Sequence, residues 1–227
     1  MDQTPFQLDA TDFAENPDPR CPSLLLLDVS GSMAGKALSE LQAGLEHYRN
    51  ELAEDPLASR RVEVALVTFG GTVQTVSSFV SAPSFTVPQL TAGGNTPMAE
   101  AIVTGLSMLK SHKDELRMHG LPLFRPWVFL ITDGAPSDRE TPRWQQAIDQ
   151  LREGERNSSF LFFAVGVQGA DQARLAELSG ERPTYSLDGL RFRDLFAWLS
   201  ASQKIVSASS PGDRLELPKP DCIAITA

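Results

Sequence analysis

Hydrophobic positions along this chain fall into two alternating kinds of segment. Ser23–Asp28, Val62–Phe69, Trp127–Thr132 and Phe160–Val167 are short, nearly unbroken apolar runs, the length and pattern of strands covered on both faces. Between them lie longer stretches with apolar residues at helical spacing. Ala34–Ala53 carries Ala37, Leu38, Leu41, Leu45, Tyr48 and Leu52 in this way, and Arg193–Val206 carries Leu195, Phe196 and Leu199. Pro97 stands at a favoured helix start, and its helix runs to about Met118. Thr141-Pro142 reads as a cap and opening proline for a helix to about Glu153. Asp171–Ser179 reads as a short helix stopped by Gly180. Gly70-Gly71 separates Val62–Phe69 from Thr72–Ser77 as a hairpin turn, and residues 78–96 read as loop. Strands alternating with helices predict an α/β fold of three layers. A mostly parallel central sheet carries one antiparallel edge strand from the hairpin, with helices on both faces.

A chain of 227 residues suits one such domain. Residues 1–20, rich in Asp and Pro and without an apolar period, read as an N-terminal arm or short edge element. Residues 21–206 hold the domain. Residues 207–227 form a Pro-, Ser- and Gly-rich extended tail, expected to dock as a strand through Leu215-Glu216-Leu217 or Ile223–Ile225. The formal net charge of -9, with no basic patch, argues against nucleic acid and towards cationic partners, metal ions among them. No apolar run approaches the ~20 residues of a membrane span. The first residues lack a basic stretch followed by an apolar one, and Cys21 and Cys222 lie near opposite ends of the chain. The expectation is a cytoplasmic protein with two free thiols.

Both Ser23–Asp28 and Trp127–Thr132 run into an acid, Asp28 and Asp133. In open parallel sheets ligands sit beyond the carboxyl ends of the strands, where both acids fall. Asp28-Val29-Ser30-Gly31-Ser32 follows its acid with hydroxyls at alternate positions, so a tight loop through Gly31 points three oxygens at one centre. Gly93-Gly94-Asn95-Thr96-Pro97 delivers another hydroxyl at a helix start, and Thr132-Asp133-Gly134 a second carboxylate. Carboxylate and hydroxyl oxygens are hard ligands suited to Mg²⁺ or Mn²⁺. The local alternative is capping: Ser30 or Ser32 for the helix from Ala34, Thr96 for the helix from Pro97. Asp138 reads as a loop or helix-start acid.

Asp-x-Ser-x-Ser, Gly-Gly-x-Thr-Pro and strand-end Thr-Asp-Gly together resemble the metal-ion-dependent adhesion site of von Willebrand factor A domains, over roughly residues 21–206. The resemblance implies that Ser30, Ser32 and Thr96 bind one Mg²⁺ or Mn²⁺ through hydroxyls. Asp28 and Asp133 would act directly or through water, leaving a further position for a partner's Asp or Glu. Within the family the chain looks most like the compact bacterial, TerY-like type of tellurium-resistance and stress operons. That implies a complex with a Ser/Thr protein kinase and a PP2C-type phosphatase. The cysteine-rich zinc module of some relatives is not matched, since only Cys222 stands in that region. The alternative is a scaffold subunit of an AAA+ ATPase of the MoxR or chelatase kind.

Catalytic readings fare worse. Gly31-Ser32-Met33-Ala34-Gly35-Lys36 is one residue short of a phosphate loop, and Ala37 stands where a Ser or Thr is required. An acid-phosphatase loop wants a second Asp where Ser30 stands. Val29 and Ala34 do not match a Gly-x-Ser-x-Gly elbow. His47, His112 and His119 read as solvated or capping residues, Arg60, Arg61, Lys110 and Lys113 as surface charges. Trp127 and Phe129 read as core, with Trp144 and Trp198 packed on amphipathic helices. A binding protein, not an enzyme, is expected.

Overall fold

The computed structural model describes residues 16–226. In chain order the elements are β1 (Cys21–Asp28), α1 (Lys36–Glu54), α2 (Ala58–Arg61), β2 (Val62–Gly70), β3 (Thr72–Ser81), α3 (Met98–Met118), β4 (Trp127–Thr132), α4 (Pro142–Arg156), β5 (Leu161–Gly166), α5 (Gln172–Ser179), β6 (Thr184–Leu187), α6 (Phe192–Ser207) and β7 (Ile223–Thr226). Short 3₁₀ turns occupy Gly31–Met33 and Ala82–Ser84. The strands form one sheet in the order β3-β2-β1-β4-β5-β6-β7. The pairs β2–β1, β1–β4, β4–β5 and β5–β6 are parallel. The flanking pairs β2–β3 and β6–β7 are antiparallel.

Period-two alternation divides each central strand between two cores. Leu25, Leu27, Leu66, Phe129 and Ile131 face α1 and α6, meeting Leu41, Leu45, Tyr48, Phe192 and Phe196. Leu24, Leu26, Val67, Val128 and Leu130 face the other way, against Ile102 and Leu109 of α3, Trp144 and Leu151 of α4 and Leu175 of α5. All four leucines of β1 are fully buried. Each contributes roughly 1.5–3 kcal/mol relative to an exposed position. β1 is also where the strand order reverses: β2 lies on one side and β4 on the other. The crevice outside its carboxyl end is the natural place for a ligand.

The expected three-layer α/β architecture is thus present, with differences at its edges. The tail docks through Ile223–Thr226, not Leu215-Glu216-Leu217, and so adds a second antiparallel edge. Its partner β6 was not foreseen, and β3 runs on to Ser81 into the expected loop. The expected N-terminal arm lies outside the described residues up to residue 15. Arg20, the last residue assigned to it, is buried and accepts from Phe124 N through its backbone carbonyl.

Three residues read as solvated are not. His112 is buried on α3, stacked on Phe79 with ring centres 4.4 Å apart, its Nε2 2.6 Å from Glu63 Oε2. Glu63 Oε1 accepts from Arg20 Nε at 3.1 Å, so a buried carboxylate joins two basic groups. Lys113 is buried too, its Nζ donating to Ser159 O at 2.8 Å, and burial holds the amine below its usual range. Arg61 is partly buried and donates from Nη1 to Ser207 O at 2.6 Å. The helix expected from Pro97 to about Met118 is α3, but these partners come from distant segments. Trp127, Phe129 and Trp144 are core residues as expected, while Trp198 is half-buried and donates from Nε1 to Pro218 O at 2.7 Å.

Candidate metal centre

Asp28 ends β1 fully buried, held by its own loop and by the neighbouring strand. Ser30 N donates to Oδ1 at 2.8 Å, and Thr132 Oγ1, at the end of β4, donates to Oδ2 at 2.5 Å. Burial pushes the Asp28 carboxyl up from its ordinary value. The hydrogen bonds from Thr132 and Ser30 pull it back, and the charge of Asp133 pushes it up again. The chain then curls through Gly31–Met33, bringing Ser30 Oγ within 3.1 Å of Ser32 Oγ. Ser32 Oγ in turn donates to Asp133 Oδ1 at 2.7 Å. A connected set of oxygens therefore runs from the end of β1 to the loop after β4.

Thr96 reaches the same place from a third segment. A Cβ built on Gly134 would lie 3.3 Å from Thr96 Oγ1, 3.7 Å from Ser32 Oγ and 3.8 Å from Asp28 Oδ2. Oxygens of two separate loops thus meet at one point on a third, and a bare glycine keeps it open. The backbone is drawn together in the same way. Gly31 N donates to Gly94 O at 3.0 Å, Gly93 N to Val29 O at 2.8 Å and Gly71 N to Asn95 O at 2.7 Å. Gly94 has φ 71°, and a Cβ there would fall 2.3 Å from Gly71 Cα; one on Gly70 would fall 2.4 Å from Val29 O. Gly70 and Gly71 therefore form more than a hairpin turn: they let the β2–β3 corner press against the Thr96 loop.

All five candidate positions, Asp28, Ser30, Ser32, Thr96 and Asp133, are brought to one end of the sheet. The capping alternative does not hold. The Gly31–Met33 turn, α1 and α3 receive no capping bond from Ser30, Ser32 or Thr96, and the N-cap positions of α1 and α3 are Gly35 and Pro97. Asp138, from the loop after β4, serves α3 instead: Oδ1 accepts from Ala99 N at 3.2 Å and Oδ2 from Glu100 N at 2.9 Å. Thr141 takes the expected N-cap position of α4 but gives no side-chain capping bond; its Oγ1 donates to Asp138 O at 2.6 Å. Thr132 is the member of the site that the motifs quoted without assigning it a task. Its place one step before Asp133, at the end of a buried strand, was the available signal.

A family model for the von Willebrand factor type A domain matches residues 24–195, most of the chain. The chain belongs to the von Willebrand factor type A domain family. No curated protein sequence matches it. Among solved structures, the von Willebrand factor A fold of this chain is similar to that of the ArnB paralog VWA2 from Sulfolobus acidocaldarius. The TM-score is 0.53 at 15% identity, over 81% of this chain and 45% of that one. It is similar also to the manganese-loaded TRAP protein of Plasmodium vivax, with TM-score 0.52 at 18% identity, over 72% and 64%. The pilus adhesin SpaC of Lactobacillus rhamnosus GG, in its open conformation, gives TM-score 0.62 at 15% identity, over 83% and 30%. At these identities the likeness is one of fold. The chain spans from 30% to 64% of the length of these three.

In this von Willebrand factor A domain the donors differ from those of a zinc or calcium cage. Among the described residues no three of His, Cys, Asp and Glu gather to hold a metal. The oxygens at the candidate centre are two carboxylates and three hydroxyls. Cys21 and Cys222 are both free and buried. Among the described residues no helix is long and apolar enough to cross a membrane.

Proposed function

We propose that Asp28, Ser30, Ser32, Thr96 and Asp133 hold one divalent cation, Mg²⁺ or Mn²⁺, and that the domain uses it to bind a carboxylate of a protein partner. The observation that carries this reading is the convergence of Thr96 Oγ1, Ser32 Oγ and Asp28 Oδ2 on the open point beside Gly134. Hard oxygens in a small, partly neutral set suit Mg²⁺ or Mn²⁺, which keep ligand positions for outside groups. Family membership supports it, since von Willebrand factor A domains are generally metal-dependent interaction modules, and the TRAP protein of similar fold is manganese-loaded.

The bound ion would supply a positive centre for an outside carboxylate. The chain's own residues do the rest. Thr132 and Ser30 N hold the Asp28 carboxylate, Ser32 and Asp133 hold each other, and the pressed glycine loops fix the spacing. Binding, not catalysis, is the reading because no histidine serves these hydroxyls. His47 lies on α1 and His119 just past α3, while His112, near the far end of α3, is committed to Glu63. Two unpaired buried thiols suit a reducing, cytoplasmic setting. A Ser/Thr kinase with a PP2C phosphatase, or an AAA+ ATPase, remain the partners that the sequence resemblance suggests. Affinity capture in Mg²⁺ and in EDTA identifies which protein depends on the ion.

Calorimetric titration with Mn²⁺ and with Mg²⁺ tests the core of the reading. One site is expected in the intact protein, lost in Asp28→Ala, with the sheet still folded because apolar burial holds it. Absence of divalent binding to the intact protein overturns the assignment.

A further inference from the structure

Helix α3 begins with unpaired backbone amides, as every helix does, and the usual remedy is a Ser, Thr, Asp or Asn side chain just before its first turn. Thr96 stands two residues before Met98 and is the local candidate. Its hydroxyl instead faces Ser32 and Asp28 around the Gly134 point. The amides of the first turn are taken by a different segment: Asp138 accepts from Ala99 N and Glu100 N, one on each carboxylate oxygen. The same segment grips Thr96 through the backbone, with Ser137 N donating to Thr96 O at 2.9 Å. Asp138 is itself fixed by Thr141, whose N and Oγ1 both donate to its carbonyl oxygen, at 3.1 and 2.6 Å.

We propose that Asp138 is a positioning residue for the cation site: by capping α3 from the neighbouring loop it releases the Thr96 hydroxyl from capping and locks the Thr96 loop to the loop carrying Asp133. The inference rests on the metal reading above. Two physical effects favour the arrangement. A carboxylate is a stronger cap than a hydroxyl, because it is charged and sits at the positive end of the helix dipole. A rigid link between two ligand-bearing loops also reduces the ordering that cation binding demands. Without Asp138, Thr96, two residues before Met98, is a local hydroxyl able to turn to the orphaned amides, and a Thr96 turned to cap α3 no longer serves the cation.

The test compares intact protein with Asp138→Ala, Asp138→Asn and Asp171→Ala. The last removes a cap on another helix, the one that Asp171 Oδ1 gives Arg174 N at the start of α5, through a side chain bonded to Arg174 and not to the five candidate residues. Mn²⁺ affinity is read by calorimetry, and amide hydrogen exchange at Ala99 and Glu100 is read in EDTA, where no ion contributes. Asp138→Ala is expected to weaken Mn²⁺ binding about 10–100-fold. Asp138→Asn, which keeps one acceptor oxygen, is expected to fall between it and the intact protein, and Asp171→Ala to bind like the intact protein. Exchange at Ala99 and Glu100 should quicken only in the Asp138 variants. If Asp138→Ala fails to fold, Asp138→Asn carries the comparison. Unchanged Mn²⁺ affinity with quickened exchange sinks the positioning role, as does unchanged exchange. Equal losses in the Asp138 and Asp171 variants reduce the effect to general stability. Failure of the intact protein to bind Mn²⁺ sinks the metal reading first, and this inference with it.

Discussion

Thr132 Oγ1, at the end of β4, donates to Asp28 Oδ2, at the end of β1, so the hydroxyl of one strand holds the fully buried carboxylate of the next. The same oxygen accepts from Gly134 N at 3.2 Å, which ties the turn after Asp133 to the bond. Valine has nearly the shape of threonine and lacks the hydroxyl. Thr132→Val should therefore cost about 1–3 kcal/mol by leaving buried polar groups unpaired. It should also weaken Mn²⁺ binding roughly tenfold by loosening Asp28. Denaturant melts and calorimetry read the two effects. A variant equal to the intact protein in both would mean that Ser30 N alone holds the carboxylate.

The candidate site was legible because its chemistry is local. Asp28, Ser30 and Ser32 lie within five consecutive residues, and Thr96 and Asp133 follow a glycine pair and a buried strand. The central strands were legible for a similar reason, since Leu24–Leu27 and Trp127–Ile131 are apolar without interruption. β6 is only four residues, too short to show a period, and gains its place by pairing with β5 and with the tail strand around Ile223–Ile225, one of the two segments expected to dock. Thr141 shows local signal losing to tertiary structure. It has the sequence of a helix cap, yet its hydroxyl donates to Asp138, which has been drawn to α3. His112 was read as solvated because its partner Glu63 lies on another element, 49 residues away.

That Glu63–His112 contact, with Arg20 on the other carboxylate oxygen, gives a prediction at the end of the sheet away from the candidate site. All three groups are buried. Removing the shared carboxylate leaves the buried imidazole without that partner and the buried guanidinium without its counter-charge, bonded only to the carbonyls of Asp18 and Asn16. Glu63→Ala should cost about 3–5 kcal/mol, the usual penalty for breaking a buried pair from one side. Chemical denaturation checks it. Divalent affinity of the folded fraction should be unchanged, because none of the three touches the candidate site. A loss below about 1 kcal/mol would mean that water reaches Arg20 and His112 as readily as in the unfolded chain.

Cys21 opens β1 with no exposed surface, and burial, reinforced by the charge of Glu63, pushes its thiol up to about 12. At about pH 8 only about one thiol in ten thousand would be ionised, so a thiolate-directed reagent should not label Cys21 until the protein unfolds. The sign of the stability effect follows from the same shift. The unfolded thiol, near its ordinary value of 9.0, ionises first, while the folded one stays neutral. The stabilising difference is complete below about pH 9 and is lost as pH rises through about 12. Tyr48, fully buried and likewise pushed up by burial, acts in the same direction. Alkylation followed by mass spectrometry, and melting temperature against alkaline pH, check the two expectations. Rapid labelling of Cys21 in the folded protein would contradict them.

Thr96→Ala separates an ion-mediated contact from ordinary surface docking. The side chain of Thr96 gives α3 no capping bond, and Asp138 already holds that helix, so the substitution should leave the melting temperature nearly unchanged. A cap lost at that position would instead cost about 1 kcal/mol. The hydroxyl lies at the point shared with Ser32 and Asp28, so its loss should weaken Mn²⁺ binding at least tenfold, on the order expected for a lost metal contact. Proteins captured by the intact chain in Mg²⁺ should be lost both in EDTA and with Thr96→Ala. Restoring Mg²⁺ after EDTA should recover them for the intact chain alone. A partner captured equally well in EDTA must bind elsewhere on the domain, for instance on the exposed faces of its helices. In that case the cation, even if bound at these five residues, is not what joins the two proteins.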